Sequence, residues 1–300
     1  MKNKRLKPFR YNLLSAAVSA ALFVGKRIPR SLGLFLFGLL GRFLYLIPNK
    51  EKIRAINHLS LIYGSTWDKK KISNTARNVF SGLGMNLFDA VYLSTVSDST
   101  FNRIVKCDNL ERFREAYGRK KGVFVITGHV GCFEMLLQFF ARNGFKSFAI
   151  GKKMRDPRIE QIVRELRSGP GIEYFDRSEG GRKIVRFLKQ GRACGVLVDQ
   201  DTKKVDGVFA NFLGRRAFTP SGPVRLALKF DIPMFVVTTI REPDNTHRVI
   251  ISEEIVANKK NDFESELVSV VQKINDRLGE TIHRYPSQWV WMHRRWKTQP

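Results

Sequence analysis

The sequence is poor in acidic residues, poor in cysteine and has no long uninterrupted apolar segment. Its 300 residues contain 27 Asp and Glu against 53 Lys and Arg, which gives a formal net charge of +26. A surface so short of acidic groups attracts polyanions, which are nucleic acids, anionic membrane surfaces or acidic proteins. With 43% hydrophobic residues, the chain can still bury a substantial core, as one large domain or as one domain with an appendage.

Cysteine is the second shortage. Cys107, Cys132 and Cys194 are odd in number, far apart and surrounded by apolar residues. This pattern excludes a disulfide framework and the paired spacing of a zinc site, and it is typical of reduced core thiols in a cytosolic compartment. Cys132 stands close to His129, so a Cys–His nucleophile is an alternative to the usual fate of such a cysteine as a small buried hydrophobe.

No apolar run near the N terminus meets every requirement of a membrane span or a secretory signal. The run from Leu13 to Val24 has twelve residues, too few to cross a bilayer, and basic residues rather than a cleavage site follow it. The run from Ser31 to Ile47 is longer but contains Arg42. We therefore predict two amphipathic or shallowly inserted helices on the cytoplasmic leaflet, with basic residues among anionic head groups. A single transmembrane anchor and a soluble helical hairpin are the alternatives.

From residue 51 onward, helical and strand patterns alternate. The predicted helices are 51–63, 68–93, 110–117, 132–142, 156–167, 179–189, 220–230 and 263–283, and the predicted strands are 123–127, 147–150, 172–175, 193–198, 208–212, 234–240 and 248–251. Such alternation predicts an α/β fold with a mostly parallel central sheet flanked by helices. We expect this domain to occupy residues 51–300, after a membrane-associated helical anchor in residues 1–50.

The segment GVFVITGHVGCFEMLL, residues 122–137, carries the clearest chemical signal. A short buried strand is followed by a glycine-bracketed turn that holds His129, and then by an apolar helix pattern. His129 and Glu134 would lie about 140° apart on one ideal helix, so they can touch only if His129 stays in the turn. A histidine base oriented by a carboxylate can activate a hydroxyl nucleophile. The spacing alone also arises by chance, whereas its position after a strand favours a catalytic pair.

Charged residues also follow a second predicted strand and a predicted helix. The strand in GVLVDQD is followed by Asp199 and Asp201, which lie on the same rim as His129 if both strands point the same way. They could orient a polar head group, assist the base or hold a divalent ion, or they could form a solvated turn. Arg167, beside a Ser-Gly break, could reach a phosphate or thioester oxygen at that rim.

The C-terminal stretch PSQWVWMHRRW interleaves aromatic and basic residues. Trp289, Trp291 and Trp296 alternate with His293 and two arginines. Single-strand nucleic-acid binders use such interleaving, but no nucleic-acid-binding motif accompanies it here. Tryptophans beside arginines equally suit a membrane interface or the core, and we favour one of these two interpretations.

Several stretches in this order resemble the bacterial lipid A biosynthesis (lauroyl/myristoyl) acyltransferase family, within the lysophospholipid acyltransferase superfamily. They are GHVGCFEM, RELRSGPG, VLVDQD followed by GVFANFLGRRAFTPSGP, and PSQWVWMHRRWK, and the resemblance covers about residues 10–297. It implies that His129 and Glu134 are the catalytic pair of the family's His-x-x-x-x-acid motif. It also implies that Arg167, Asp199 and Asp201 bind substrate, and that the reaction requires neither a metal nor another cofactor.

The resemblance further implies a reaction and a location. A fatty acyl group would pass from acyl carrier protein or acyl-CoA to a hydroxyl of a lipid A precursor or related glycolipid, at the cytoplasmic face of the inner membrane. His129 would take the hydroxyl proton while Glu134 held the ring tautomer, and the partners would include anionic membrane lipids but no nucleic acid. The alternatives are another glycolipid or phospholipid acceptor, a thioester hydrolase of the same fold and, more remotely, a basic nucleic-acid-binding protein.

Overall fold

The computed structural model describes residues 23, 27–151, 153, 156–176, 179–202, 205–258, 260 and 262–299. The helices in these ranges are α1 (Arg30–Leu46), α2 (Lys50–Tyr63), α3 (Lys69–Thr95), α4 (Asp98–Ile104), α5 (Leu110–Gly118), α6 (Leu136–Arg142), α7 (Pro157–Leu166), α8 (Gly181–Lys189), α9 (Gly222–Phe230) and α10 (Phe263–Arg284). The strands are β1 (Val105–Cys107), β2 (Val123–Thr127), β3 (Ser147–Gly151), β4 (Ile172–Asp176), β5 (Ala193–Leu197), β6 (Gly207–Phe212), β7 (Arg215–Pro220), β8 (Met234–Arg241) and β9 (His247–Ile251). Short 3-10 helices occupy Phe133–Met135 and Pro286–Gln288.

Seven strands form one sheet in the order β1-β9-β8-β2-β5-β3-β4. All neighbouring strands in it run parallel except β8 and β9. Parallel neighbours need crossover connections, so helices separate β2, β3, β4 and β5 along the chain. The remaining two strands, β6 and β7, form a separate antiparallel hairpin. Because β2 and β5 are adjacent and parallel, their carboxyl ends meet at one edge of the sheet.

The predicted α/β class and mostly parallel sheet flanked by helices are confirmed. The strand predicted at 123–127 is β2, and the other predicted elements agree with the structure within a few residues. The sequence patterns missed α4, β1 and β7. The first two have seven and three residues, too short for a recognisable period, and β7 begins with Arg215 and Arg216 rather than with apolar residues. The domain boundary at residue 50 stays a prediction.

The helix α1 packs closely on α3 through glycine. A Cβ atom added to Gly41 would lie 2.1 Å from the carbonyl oxygen of Phe80, so only glycine allows this approach. The side of α1 turned away from α3 exposes large apolar side chains, which are Leu32, Phe35, Leu36, Leu39, Leu40, Phe43, Leu44 and Leu46. The described α1 thus coincides with the second predicted apolar run. The first run, 13–24, lies outside the described residues except for Phe23.

Buried ion pairs attach α1 to the rest of the molecule. Arg30, the first residue of α1, donates to both carboxylate oxygens of Asp89 in α3, at 2.8 and 2.9 Å. The buried Asp89 also contacts Arg241 at 2.7 Å and His247 at 2.8 Å. Since Asp89 is fully buried, its charge needs compensation in the interior, and the two arginines supply it. This cluster connects α1 to β8 and β9 through α3.

Taken singly, none of the described helices is both long and apolar enough to cross a membrane. Only α1 and α2 taken together meet the length and composition requirement, and they are bent by 87° relative to each other. The membrane-associated N-terminal region therefore stays a prediction.

The C-terminal stretch packs into the core. Trp289 and Trp291 are fully buried, and His58 of α2 lies 2.8 Å from the carbonyl oxygen of Trp291. Arg295 is also fully buried and donates to the carbonyl of Phe218 at 2.5 Å. Of the interpretations considered for this stretch, core packing is confirmed for these residues. Fully buried indoles cannot offer a face on which a nucleic-acid base could stack.

Candidate active site

The register of the central sheet brings His129 and Asp199 together. Thr127 at the end of β2 pairs with Leu197 at the end of β5, and His129 and Asp199 each lie two residues further along the chain. The ring Nδ1 of His129 is 2.7 Å from Oδ1 of Asp199. The prediction that the acidic residues after the second strand share a rim with His129 is therefore confirmed for Asp199.

A tight turn holds the histidine beyond the strand. Gly131 has φ +56°, and a Cβ atom there would lie 2.1 Å from the carbonyl oxygen of Thr239. The Gly131 N–H donates to the carbonyl of Gln288 at 2.8 Å, and its carbonyl accepts from Nδ2 of Asn86 at 2.9 Å. A residue with a side chain would meet both an unfavourable backbone conformation and a backbone clash, so the turn requires glycine at this position.

Asp199 is a buried carboxylate with three donors. Its Oδ2 accepts from the backbone N–H of His129 at 2.7 Å and from Nε1 of Trp289 at 2.8 Å, while Oδ1 faces the His129 ring. Burial alone would raise the pKa of Asp199, but the His129 ring and the Trp289 N–H together hold it well below its usual value. With 1% of its surface exposed, Asp199 is shielded from solvent and faces the histidine.

Glu134 does not contact the histidine, contrary to the expected pairing. Its two carboxylate oxygens accept from Nε and Nη2 of Arg167, at 2.8 and 2.5 Å. The reason is the sheet register, which supplies Asp199 to Nδ1 of His129, while the 3-10 helix turns Glu134 toward the end of α7. The expectation that Glu134 holds the ring tautomer is therefore wrong in this structure.

Arg167 lies at the predicted rim, paired with this carboxylate. Its guanidinium is 5.1 Å from the centre of the Tyr174 ring, and the side chain is 17% exposed. Burial by itself would lower the pKa of Arg167, but the ion pair with Glu134 raises it, so the group stays charged. The bidentate contact makes Glu134 and Arg167 a single unit.

Asp201 has a different environment from that expected. It accepts from the backbone N–H of Thr298 at 2.5 Å and from the Thr298 hydroxyl at 2.8 Å. Both oxygens are thus occupied by the C-terminal segment. In this structure, Asp201 fastens that segment across the site and does not line the pocket described below.

Two residues at the histidine had no predicted role. Gln200 Nε2 is 3.1 Å from Nε2 of His129, and the ring of His293 is 4.3 Å from the His129 ring between centres. Burial lowers the pKa of His293 to about 4, and the nearby His129 adds to the effect. Sequence reasoning missed His293 because 164 positions separate it from His129, and local periodicity contains no information on such contacts.

An apolar pocket lies between α6 and one face of the sheet. Its cavity volume is about 50 Å³, so it is a narrow cleft. Its lining residues are Val125, Thr127, Phe133, Glu134, Leu136, Leu137, Phe140, Ser147, Ala149, Ile150, Arg167, Ala193, Gly195, Val196 and Leu197. The Phe133 ring is 4.8 Å from that of His129 between centres, which joins this pocket to the histidine. Gly195 leaves room in the wall, since the nearest atom to an added Cβ would be 3.7 Å away.

The thiol beside the histidine is not an activated nucleophile. Cys132 is 1% exposed, and burial raises its pKa to about 12. A nucleophilic cysteine needs the opposite shift, toward the thiolate at neutral pH. All three cysteines are free, with Cys132 and Cys194 buried, which agrees with their predicted state as core thiols. Among the described residues, no three His, Cys, Asp or Glu side chains converge as a metal site would require.

Comparison with known sequences decides the family. Residues 2–298 match the family model described as bacterial lipid A biosynthesis acyltransferase. The chain belongs to the bacterial lipid A biosynthesis acyltransferase family. The protein is therefore an acyltransferase, and its family implies an acyl donor and a lipid A or glycolipid acceptor.

Relatives of this chain differ in the activity that their names state. The lipid A biosynthesis palmitoleoyltransferase of Escherichia coli (strain K12) is 25% identical over 263 residues, which are 85% of this chain and 81% of the relative. The lipid A biosynthesis lauroyltransferase of the same organism is 23% identical, with 84% and 81% covered. The phosphatidylinositol mannoside acyltransferase of Mycolicibacterium smegmatis (strain ATCC 700084 / mc(2)155) is 19% identical, with 63% and 61% covered.

Proposed function

We propose that this acyltransferase moves a fatty acyl group from the thioester of acyl carrier protein or coenzyme A to a hydroxyl of a lipid A precursor or related glycolipid. The observation that carries the proposal is the 2.7 Å contact between Nδ1 of His129 and Oδ1 of Asp199, beside an apolar pocket. A neutral imidazole with its proton on Nδ1 has a free lone pair on Nε2. That nitrogen is the general base of the proposed reaction.

The proposed reaction has two steps. Nε2 of His129 takes the proton of the acceptor hydroxyl as its oxygen attacks the thioester carbonyl carbon, and a C–O bond forms. When the tetrahedral intermediate collapses, the C–S bond breaks, and the departing thiolate takes the proton from Nε2. The products are an ester and a thiol, and the histidine returns to its starting state.

Asp199 replaces Glu134 as the partner of the base in this proposal. Its buried negative charge stabilises the imidazolium that forms in the first step, and its contact with Nδ1 selects the tautomer. We assign Glu134 and Arg167 to substrate placement, since their ion pair lies in the pocket lining. Asp201 accepts a hydrogen bond from Thr298, so it affects the reaction only by holding the C-terminal segment in place.

Backbone N–H groups are the proposed donors to the oxyanion. The N–H groups of His129, Val130 and Gly131 are already bonded within the site. The first turn of the following 3-10 helix is therefore the better source, because the first N–H groups of a helix have no partner within it. Arg167 lies in the same pocket lining, where its guanidinium is paired with Glu134.

The pocket suits the hydrocarbon part of the donor. Apart from Glu134, Arg167 and two hydroxyl residues, its lining is apolar or glycine, and it reaches the ring that touches His129. Burying a methylene group contributes about 0.8 kcal/mol, so the apolar lining favours contact with a fatty acyl chain. The net charge of +26 favours both lipid phosphates and an acidic carrier protein.

We further propose that α1 binds the inner membrane at its cytoplasmic face. The exposed apolar side chains of α1, with Phe35 and Phe43 each at least 60% exposed, would insert among lipid tails. Phe35→Glu combined with Phe43→Glu should reduce co-flotation with vesicles containing anionic lipid. Binding that is unchanged in this variant would remove α1 from the membrane contact.

The function is tested by incubating purified protein with lauroyl-acyl carrier protein or lauroyl-CoA and a lipid A precursor, and by identifying products by mass spectrometry. We expect an added lauroyl ester on the precursor and a rate about 10² to 10⁴ lower in His129→Ala. His283→Ala is the matched control, because His283 is exposed and bonds Tyr63 rather than any residue of the site.

Three outcomes would contradict the proposal. Release of free fatty acid at the same rate with and without acceptor would make the protein a thioester hydrolase. Transfer to a phospholipid, but not to the lipid A precursor, would change the acceptor. Near-normal transfer by His129→Ala would remove the proposed base while leaving the family assignment intact.

A further inference from the structure

Gln200 lies between two histidine rings at the centre of the site. Its Nε2 is 3.1 Å from Nε2 of His129, and it is 3.1 Å from Nε2 and 3.3 Å from Nδ1 of His293. His129 Nε2 is the atom that must accept a proton in the proposed reaction. In the resting protein, an amide group of the chain itself occupies the space in front of that atom.

The hydrogen bonds determine which end of the amide faces His129. Asp199 is an acceptor at Nδ1, so a neutral His129 carries its proton on Nδ1 and presents a bare Nε2. A bare nitrogen needs a donor, and the amide nitrogen of Gln200 is a donor whereas its oxygen is not. The amide N–H therefore points at the atom that a substrate hydroxyl must approach with its own hydrogen.

The His293 ring lies against the same amide. Gln200 Nε2 is within 3.3 Å of both nitrogens of this ring, so it lies over the ring face and not on the in-plane lone pair of either nitrogen. Burial keeps this ring neutral at pH 7, since it lowers the pKa of His293 to about 4. The backbone of His293 is held by a bond from its N–H to the carbonyl of Val290, whose own N–H donates to the carbonyl of His129. The two rings are thus tied to one another through the backbone.

We propose that the Gln200 amide marks the position of the acceptor hydroxyl, and that His293 holds this amide beside the reacting oxygen once the hydroxyl has displaced it from His129. The displaced amide keeps its contact with the His293 ring and directs an N–H to the acceptor oxygen. As the hydroxyl proton moves to Nε2 of His129, that oxygen gains negative charge, and the bond from the amide strengthens. Gln200 is then a catalytic residue, and His293 is a positioning residue that acts through it.

This mechanism separates the effects on kcat and KM. Removal of the amide leaves Nε2 of His129 open, so the acceptor no longer has to displace a group in order to bind. The same change removes a donor to the developing alkoxide, which typically lowers the rate by about 10²-fold. We therefore expect Gln200→Ala to lower kcat by about this factor while KM for the acceptor stays the same or decreases.

The experiment measures transfer from lauroyl-acyl carrier protein to a lipid A precursor in five proteins: wild type, Gln200→Ala, Gln200→Glu, His293→Ala and Gln200→Ala with His293→Ala. Gln200→Glu preserves size but cannot donate a hydrogen bond as a carboxylate, so it should lose about as much kcat as Gln200→Ala. His293→Ala removes the ring against which the amide lies and should also lower kcat. The double variant should be no slower than Gln200→Ala, because His293 acts through Gln200.

Two further variants serve as rescue and control. His293→Phe supplies a ring face without ring nitrogens and should recover most of the kcat lost in His293→Ala. Gln190→Ala changes an exposed glutamine outside the site and should leave kcat unchanged. Melting temperatures of all variants should stay within a few degrees of wild type.

The inference rests on the proposed function, and the outcomes separate the two. If wild-type protein transfers no acyl group, both are overturned. If wild type is active and Gln200→Ala keeps its kcat, only the inference is overturned. The same holds if Gln200→Ala raises KM for the acceptor and lowers the melting temperature together. Losses that multiply fully in the double variant would show that His293 does not act through Gln200, and they would overturn its positioning role.

Discussion

Asp199→Asn should disable the base while keeping the shape of the site. In the wild-type protein, Oδ2 of Asp199 accepts two hydrogen bonds, from the backbone of His129 and from Trp289. An asparagine must therefore turn its single oxygen toward these two donors. Its amide nitrogen then occupies the position of Oδ1 and faces Nδ1 of His129 at about the present distance of 2.7 Å. Because that nitrogen is a donor, the ring must move its own proton to Nε2, where it can no longer accept one from a hydroxyl.

The expected loss follows from the loss of a general base. Rates typically fall about 10² to 10⁴-fold when such a base is removed, which is about 2.7 to 5.4 kcal/mol in the barrier at 1.36 kcal/mol per tenfold. Stability should change far less. The two hydrogen bonds at Oδ2 persist without charge assistance, at a cost of about 1 to 2 kcal/mol, so the melting temperature should fall by several degrees.

The assay compares kcat/KM for acyl transfer in wild type, Asp199→Asn, His129→Ala and the double variant, with melting curves on the same samples. We expect Asp199→Asn to lose almost as much as His129→Ala and the double variant to lose no more than His129→Ala. Transfer by Asp199→Asn within tenfold of wild type would refute the tautomer argument. So would a rate loss explained by unfolding at the assay temperature.

Three other predictions follow from the site. Gly195→Val should narrow the pocket and shift the preference in kcat/KM toward shorter acyl donors. Competition between donors of different chain length measures this preference. An unchanged preference would exclude this pocket as the acyl site. Glu134→Gln and Arg167→Lys should each lower kcat/KM for transfer more than they lower thioester hydrolysis in water. The double variant should lose little more activity than either single variant, because the pair is one bidentate unit. Losses that multiply fully in the double variant would contradict the role of the pair as one unit. Burial lowers the pKa of His293 from its usual 6.5 to about 4, so on acidification the unfolded chain binds a proton at this residue before the folded protein does. His293 should therefore lower the free energy of unfolding as the pH falls from about 6.5 to about 4, by at most about 1.4 kcal/mol per pH unit. Urea titrations should find a shallower decline in His293→Phe, and equal slopes would refute the buried neutral state of His293.

Local sequence determined the elements of this fold and the location of the base. The run 123–127 is apolar throughout and bounded by turn residues, and β2 has those bounds. Glycines at 128 and 131 indicated the turn that holds His129, because glycine tolerates backbone conformations that other residues avoid. These inferences succeed since strand and helix periods, and turn chemistry, depend on residues a few positions apart. The family motifs were equally local, and they led to the acyltransferase assignment.

Tertiary structure alone decided which carboxylate serves the base. Glu134 is five positions from His129 and Asp199 is seventy, so spacing favoured the wrong partner. The choice depends on the neighbour of β2 in the sheet, and strand order is a property of the whole packed chain that no local period encodes. The same holds for His293, which reaches His129 only because the buried tryptophans draw the C-terminal segment across the site. Burial of distant apolar residues against one another supplies the free energy that assembles these polar contacts, so the site follows from the core.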